Sequence, residues 1–184
     1  MALKSSPGFG ASAITAVLVL VLSACSGQTG PGAAPLPDRV CWGMGAFAGK
    51  DVARTAGNGN KVRDDSPAVF ALPQNDKGTS CHLYVDGDTR FSARASRISV
   101  EQNFHWPSWE KENPDRIKIG SGGIVWNSGA AISFTCKSPE GAFKVELVLT
   151  SGSGVGKPEN PRAYFTEMME PYYQFATKQL RCAA

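Results

Sequence analysis

Five cysteines constrain how this chain can fold: Cys25 lies near the N-terminus, and Cys41, Cys81, Cys136 and Cys182 are spread through the rest of the 184 residues. No two of them stand in a C-x-x-C spacing, and the only histidines are His82 and His105, so the spacing implies no metal site. In an oxidising compartment the four later cysteines would form two disulfides, with three possible connectivities. Each bridge would close a loop of several tens of residues and stabilise the fold by about 2–4 kcal/mol. The residues before Cys25 indicate the compartment.

Residues 1–24 have the parts of a secretory signal: Lys4 is the only charged side chain, an apolar stretch is densest from Ile14 to Leu22, and small residues follow. The apolar core is shorter than the roughly 20 residues a spanning helix needs, and no second such segment occurs downstream. Leu22-Ser23-Ala24-Cys25 closes the run and resembles the lipobox of bacterial lipoproteins, Leu-(Ala/Ser)-(Ala/Gly)-Cys, at the position that family uses. The resemblance implies a diacylglycerol thioether on Cys25, cleavage after Ala24, and a new terminal amine open to acylation. One acyl chain holds only marginally, at about 0.8 kcal/mol per buried methylene, so two or three chains make the anchor durable. The expected location is the extracytoplasmic face of the cell membrane, reached through the lipid on Cys25.

The rest of the chain reads as one exported domain behind a tether. Apolar content is 42%, enough for one core, and removing Lys4 with the signal leaves 18 basic against 16 acidic side chains without charged blocks. That surplus is too small and too dispersed for a nucleic-acid footprint. Residues 25–37 are rich in Gly, Pro and Ser and carry no charge, aromatic or periodicity, so they read as a flexible tether, with the domain spanning residues 38–184.

Within the domain, residues 47–56 read as a short helix stopped by Gly57-Asn58-Gly59. Residues 79–96 form a hairpin turning at Asp86-Gly87-Asp88. A three-residue loop with a glycine bulge would pair Val85 with Thr89, Leu83 with Phe91 and Cys81 with Ala93, keeping one face apolar. A second hairpin over residues 130–150 turns at Ser138-Pro139-Glu140-Gly141 and pairs Cys136 with Phe143, Phe134 with Val145 and Ile132 with Leu147, leaving Lys144 and Glu146 outside. Shorter strands are expected at residues 67–72 and 124–127, about six in all. Residues 161–181 switch to helical spacing, capped by Asn160 before Pro161, with a kink or break expected at Pro171. A helix at each end of an antiparallel sheet makes an α+β domain.

Cys41 before a short helix ending at Gly57, and Thr79-Ser80-Cys81 before the turn at Asp86-Gly87-Asp88, resemble the pattern of the small actinobacterial lipoproteins grouped as DUF3558, a family without an established general activity. The resemblance covers roughly residues 41–97. It implies Cys41 paired with Cys81, which leaves Cys136 with Cys182. The rival pairing, Cys81 with Cys136, would suit two hairpins that are neighbours in one sheet.

No catalytic motif emerges. There is no G-x-S-x-G elbow, and Ser121, Ser151 and Ser153 sit in glycine-rich loops. Cys81 and His82 are adjacent on a strand and point to opposite faces. Gly43-Met44-Gly45 with Ala48 and Asp64 is a loose dinucleotide fingerprint with no preceding strand, so it reads as a flexible lead into the helix, and no cofactor is implied. The pairs Asp64-Asp65 and Asp86 with Asp88 fit turn chemistry.

One segment stands apart: residues 99–112 contain Phe104-His105-Trp106-Pro107-Ser108-Trp109. Its rings would either cover the open face of the sheet or form a binding patch of Phe104, His105, Trp106 and Trp109 for a sugar, peptide or lipid face. The function expected is a non-catalytic binding or interaction module for an envelope ligand or protein. The alternative is an envelope hydrolase assembled from groups such as Glu101, His105 and Asp115.

Overall fold

Alternating apolar and polar residues build the centre of the molecule, where two long hairpins share one antiparallel sheet. The computed structural model describes residues 32–43, 45–72, 74, 78–101, 106, 110–139, 141–152 and 158–183. The expected signal, the lipobox-like motif with Cys25 and the first part of the expected tether lie outside the described residues, as do Phe104, His105 and Trp109. No helix among the described residues is long and apolar enough to cross a membrane.

A two-stranded sheet pairs β1 (Arg39–Val40) with β2 (Phe47–Ala48), and α1 (Gly49–Ala56) follows. The expected helix thus starts two residues late, because Phe47 and Ala48 are extended and paired. It stops at Gly57 (φ 66°), as its sequence implies. The main sheet contains β3 (Val62–Asp64), β4 (Thr79–Val85), β5 (Asp88–Ile98), β6 (Asp115–Ile117), β7 (Gly122–Trp126), β8 (Gly129–Ser138) and β9 (Gly141–Ser151), in the order β3-β4-β5-β9-β8-β7-β6. Together with α2 (Pro161–Gln179) these elements form an α+β domain, with seven strands plus a two-stranded sheet where about six strands were expected.

The first hairpin holds its central register, Cys81 opposite Ala93 and Leu83 opposite Phe91, but closes differently. Val85 pairs with Asp88 and Tyr84 with Thr89, so the loop is the two-residue Asp86-Gly87 and Arg90 is the extra residue, bulged within β5. Asp86 (φ 52°) and Gly87 (φ 95°) both tolerate the left-handed backbone of a tight hairpin turn, and the bulge then restores the apolar register. The second hairpin has the expected register throughout, with Cys136 opposite Phe143, Phe134 opposite Val145 and Ile132 opposite Leu147. Residues 67–72 are not a strand. Asp65 donates the last bond to the His82 carbonyl, and Pro67 has no N–H to continue; the segment leaves the edge and buries Phe70 and Leu72.

The C-terminal helix runs unbroken through Pro171. Pro171 and Glu167, whose carbonyl loses its partner, both lie on the exposed side, so water can replace the missing bond. Asn160 caps the helix through Ala163 N–H, and Tyr164, Phe165, Met168, Met169, Tyr172 and Ala176 face the sheet.

The disulfides are Cys41–Cys81 and Cys136–Cys182, the pairing implied by the DUF3558 resemblance. The hairpins are neighbours, but they meet through β5 and β9. Cys81 on β4 and Cys136 on β8 are therefore three strand spacings apart, about 14 Å, beyond the reach of a disulfide. Gly43 and Gly45, expected as a flexible lead, instead form a tight left-handed turn (φ 59° and 70°). A Cβ on Gly43 would lie 2.8 Å from the Ala68 carbonyl oxygen.

Two buried tyrosines generate tests. Tyr164 donates to the Asp51 carbonyl (3.0 Å), and burial pushes its phenol up to about 12, with Thr55 and Arg54 opposing. The unfolded tyrosine releases its proton near pH 10, so from about pH 10 to 12 the unfolded state binds fewer protons and stability falls as pH rises. The urea midpoint should drop over that range, and less steeply in Tyr164→Phe. The Tyr172 hydroxyl is buried with no hydrogen-bond partner among the described residues, so Tyr172→Phe should leave the urea midpoint unchanged or raise it.

Candidate functional site

The sheet has two unlike faces. The inner one carries Cys81, Leu83, Phe91, Ala93, Ile132, Leu147 and Leu149 beneath the helices. The outer one is mostly polar, with Ser80, His82, Ser92, Arg94, Ser96, Ser133 and Glu146 brought side by side by the register. One small apolar patch interrupts it: Ile124, Trp126, Ala131 and Val148, with Trp106 packed against them.

The chain leaves β5 at one end of the sheet and returns as β6 beside the other, and Trp106 marks where it passes over the outer face. Its indole Nε1 donates to Glu146 Oε1 at 2.8 Å, and Arg94 Nη2 lies 3.3 Å from Glu146 Oε2. Glu146 is thus half-withdrawn from water, with both carboxylate oxygens engaged, and it clamps the ring against the patch. Trp106 acts as the expected cover for the sheet. Phe104, His105 and Trp109 lie outside the described residues.

Beside the ring is a groove of about 460 Å³. Trp106 forms one wall, Gly122, Gly123 and Ser133 line it with little side-chain bulk, Ser121 and Thr135 add hydroxyls, and Arg116 and Lys144 bring two cations. Arg116 reaches the groove because it pairs with Ile124 and so shares the outer face. No carboxylate is among its described lining residues. Such a site can hold a flat or ring-shaped ligand by stacking and polar contacts.

The other candidates resolve into structural roles. Cys81 is bonded to Cys41, and Asp64 accepts from Cys41 N–H at 2.6 Å. Cys41, Asp64 and Cys81 cluster closely enough for a metal, but their two sulfurs are bonded to each other. Asp64 therefore holds the turn that the fingerprint glycines make. His82 Nδ1 lies 3.0 Å from Ser92 Oγ, a cross-strand pair with no carboxylate on the imidazole among the described residues. Asp86 accepts from Asn60 and Lys61 N–H, Asp65 pairs with Arg63, and Asp88 with Arg90. Ser151 contacts the Ser128 carbonyl. Asp115 pairs with Arg162 of α2 at 2.8 Å, on the helix side of the edge strand and away from Trp106. Glu101 is exposed.

Sequence reasoning found Trp106 from its local aromatic density but missed Glu146, Arg94 and Arg116 as its companions. The outward position of Glu146 is legible in its hairpin, but nothing local joins it to Trp106, forty positions away.

Glu146→Ala should free the indole and leave Arg94 without its partner, costing about 1.5–3 kcal/mol in urea unfolding and red-shifting the tryptophan emission. Glu146→Gln, which keeps an acceptor, should lose less. No protein-family model, curated protein or solved structure matches this chain.

Proposed function

We propose that this protein is a DUF3558-like, lipid-anchored, extracytoplasmic binding module that takes an envelope ligand in the groove beside Trp106. The observation that carries the reading is the clamp on the ring: a tryptophan held by a carboxylate whose two oxygens are both engaged, at the wall of an open groove, is preorganised for stacking. The two disulfides support an exported domain, and the lipobox at Leu22-Ser23-Ala24-Cys25 supports anchoring at the cell membrane. Hydroxyls and cations around a ring suit a polar ligand with a flat face, such as a saccharide.

The hydrolase alternative draws no support from Asp115. Arg162 holds that carboxylate on the opposite side of the sheet from Trp106, and Asn127 and the Asn113 carbonyl hold Arg162 there in turn.

Two measurements test the reading. Titration with fractionated envelope glycans should quench tryptophan fluorescence saturably, and Trp106→Ala should weaken binding at least tenfold while keeping both disulfides; equal affinity in the folded variant would remove the groove from consideration. Cys25→Ser should abolish incorporation of radiolabelled palmitate, and retained label would refute the anchor.

A further inference from the structure

The last part of the expected tether is bound to the domain. The Gly32 carbonyl accepts from Gly59 N–H at 2.8 Å, Ala34 N–H donates to the Gly57 carbonyl at 3.1 Å, and Ala33 bridges Asn58. Leu36 packs on the core, and Pro37 lies so close that a Cβ on Gly49 would sit 2.0 Å from its carbonyl oxygen. Residues 32–37 therefore belong to the domain, which corrects the tether boundary at residue 37.

This docking places the chain entry at one end of the sheet. Gly59 abuts Val85 and Asp86, and Asp86 accepts from Asn60 and Lys61, so Gly32 lies beside the β4–β5 turn. The Ser138–Gly141 turn is at the far end, about 35 Å away along the eleven residues of β5. Seven peptide units separate Cys25 from Gly32. They reach at most about 25 Å at full extension.

We propose that this short, docked lead turns the β4–β5 end of the domain toward the phospholipid headgroup surface and the Trp106 groove away from it; the inference rests on lipid anchorage at Cys25. Bringing the far end to the bilayer would need Gly32 some 35 Å above it, more than the lead can span. The facing end presents Asn58, Asn60, Lys61 and Asp86. The exposed large apolar side chains among the described residues, Val69 and Val100, lie elsewhere, so this end rests against headgroups without inserting. The groove is displaced toward the opposite end, because Lys144 in its lining pairs with Ile98 at the far end of β5. A ligand would thus be met from the side facing away from the membrane.

The test uses the full lipidated protein in vesicles of phosphatidylethanolamine and phosphatidylglycerol carrying a rhodamine-headgroup lipid. A donor fluorophore is placed at Asp88→Cys or at Pro139→Cys, each checked for intact native disulfides. Energy transfer from position 88 should exceed that from position 139 at least threefold, and an insertion of twenty Gly/Ser residues after Thr29 should erase the difference. Equal or reversed transfer in vesicle-bound protein would overturn the orientation while leaving the anchor standing. Loss of vesicle association during reconstitution would overturn the anchor, and the orientation with it.

Discussion

Cys41 and Trp42 adopt left-handed backbone (φ 70° and 54°), a conformation that costs non-glycine residues about 1–2 kcal/mol each, and much of the fold depends on their being held there. Asp64 takes the Cys41 N–H, Ser66 takes the Trp42 N–H at 2.7 Å, and Cys41 is bonded to Cys81 on β4. The turn aims the Trp42 indole into the core. Its Nε1 donates to Thr79 at 2.9 Å, and its ring lies edge-on to Phe70 and stacks with Tyr172 and Phe175. One side chain thus joins the N-terminal segment, the start of β4 and the C-terminal helix. The tight glycines that follow make the turn possible, which explains a Gly-x-Gly pattern without a nucleotide.

The two faces of the sheet are covered in different ways. The inner face is closed by α1 and α2, with Cys136–Cys182 fastening the end of the long helix to β8. The outer face would expose Trp126, Ile124 and Val148 if Trp106 did not cover them. Glu146 makes that cover specific, since its bond fixes where the ring sits. The same contact closes a small apolar patch and forms the wall of a polar groove, so covering the sheet and shaping a site are one arrangement.

The long hairpins were legible because period-two alternation on a half-buried sheet leaves few registers that keep one face apolar. The fault at Asp86-Gly87 is instructive: the pattern requires one extra residue near the turn, but residues 86–90 do not show whether it sits in the loop or in β5. Edge strands β3 and β6 were missed because three residues carry no usable period. The helix does not break at Pro171 for a different reason, as the local rule counts a lost bond without knowing that the freed carbonyl faces water. At the site, aromatic density marked Trp106, whereas Glu146 and Arg116 join it only through strand pairing.

By itself the sequence determined what local chemistry can carry: a lipobox-like end to an apolar run, four cysteines left to pair, two alternating hairpins and a capped C-terminal helix. Tertiary structure decided which distant elements meet. Because β5 lies against β9, Cys81 and Cys136 are out of reach and each bonds outward, to a turn and to a chain end. Because residues 32–37 find backbone partners at Gly57 and Gly59, a stretch that reads as free linker becomes part of the domain. Hydrogen bonds of that kind use only main-chain groups, which every residue but proline carries in full, so side-chain composition does not announce them.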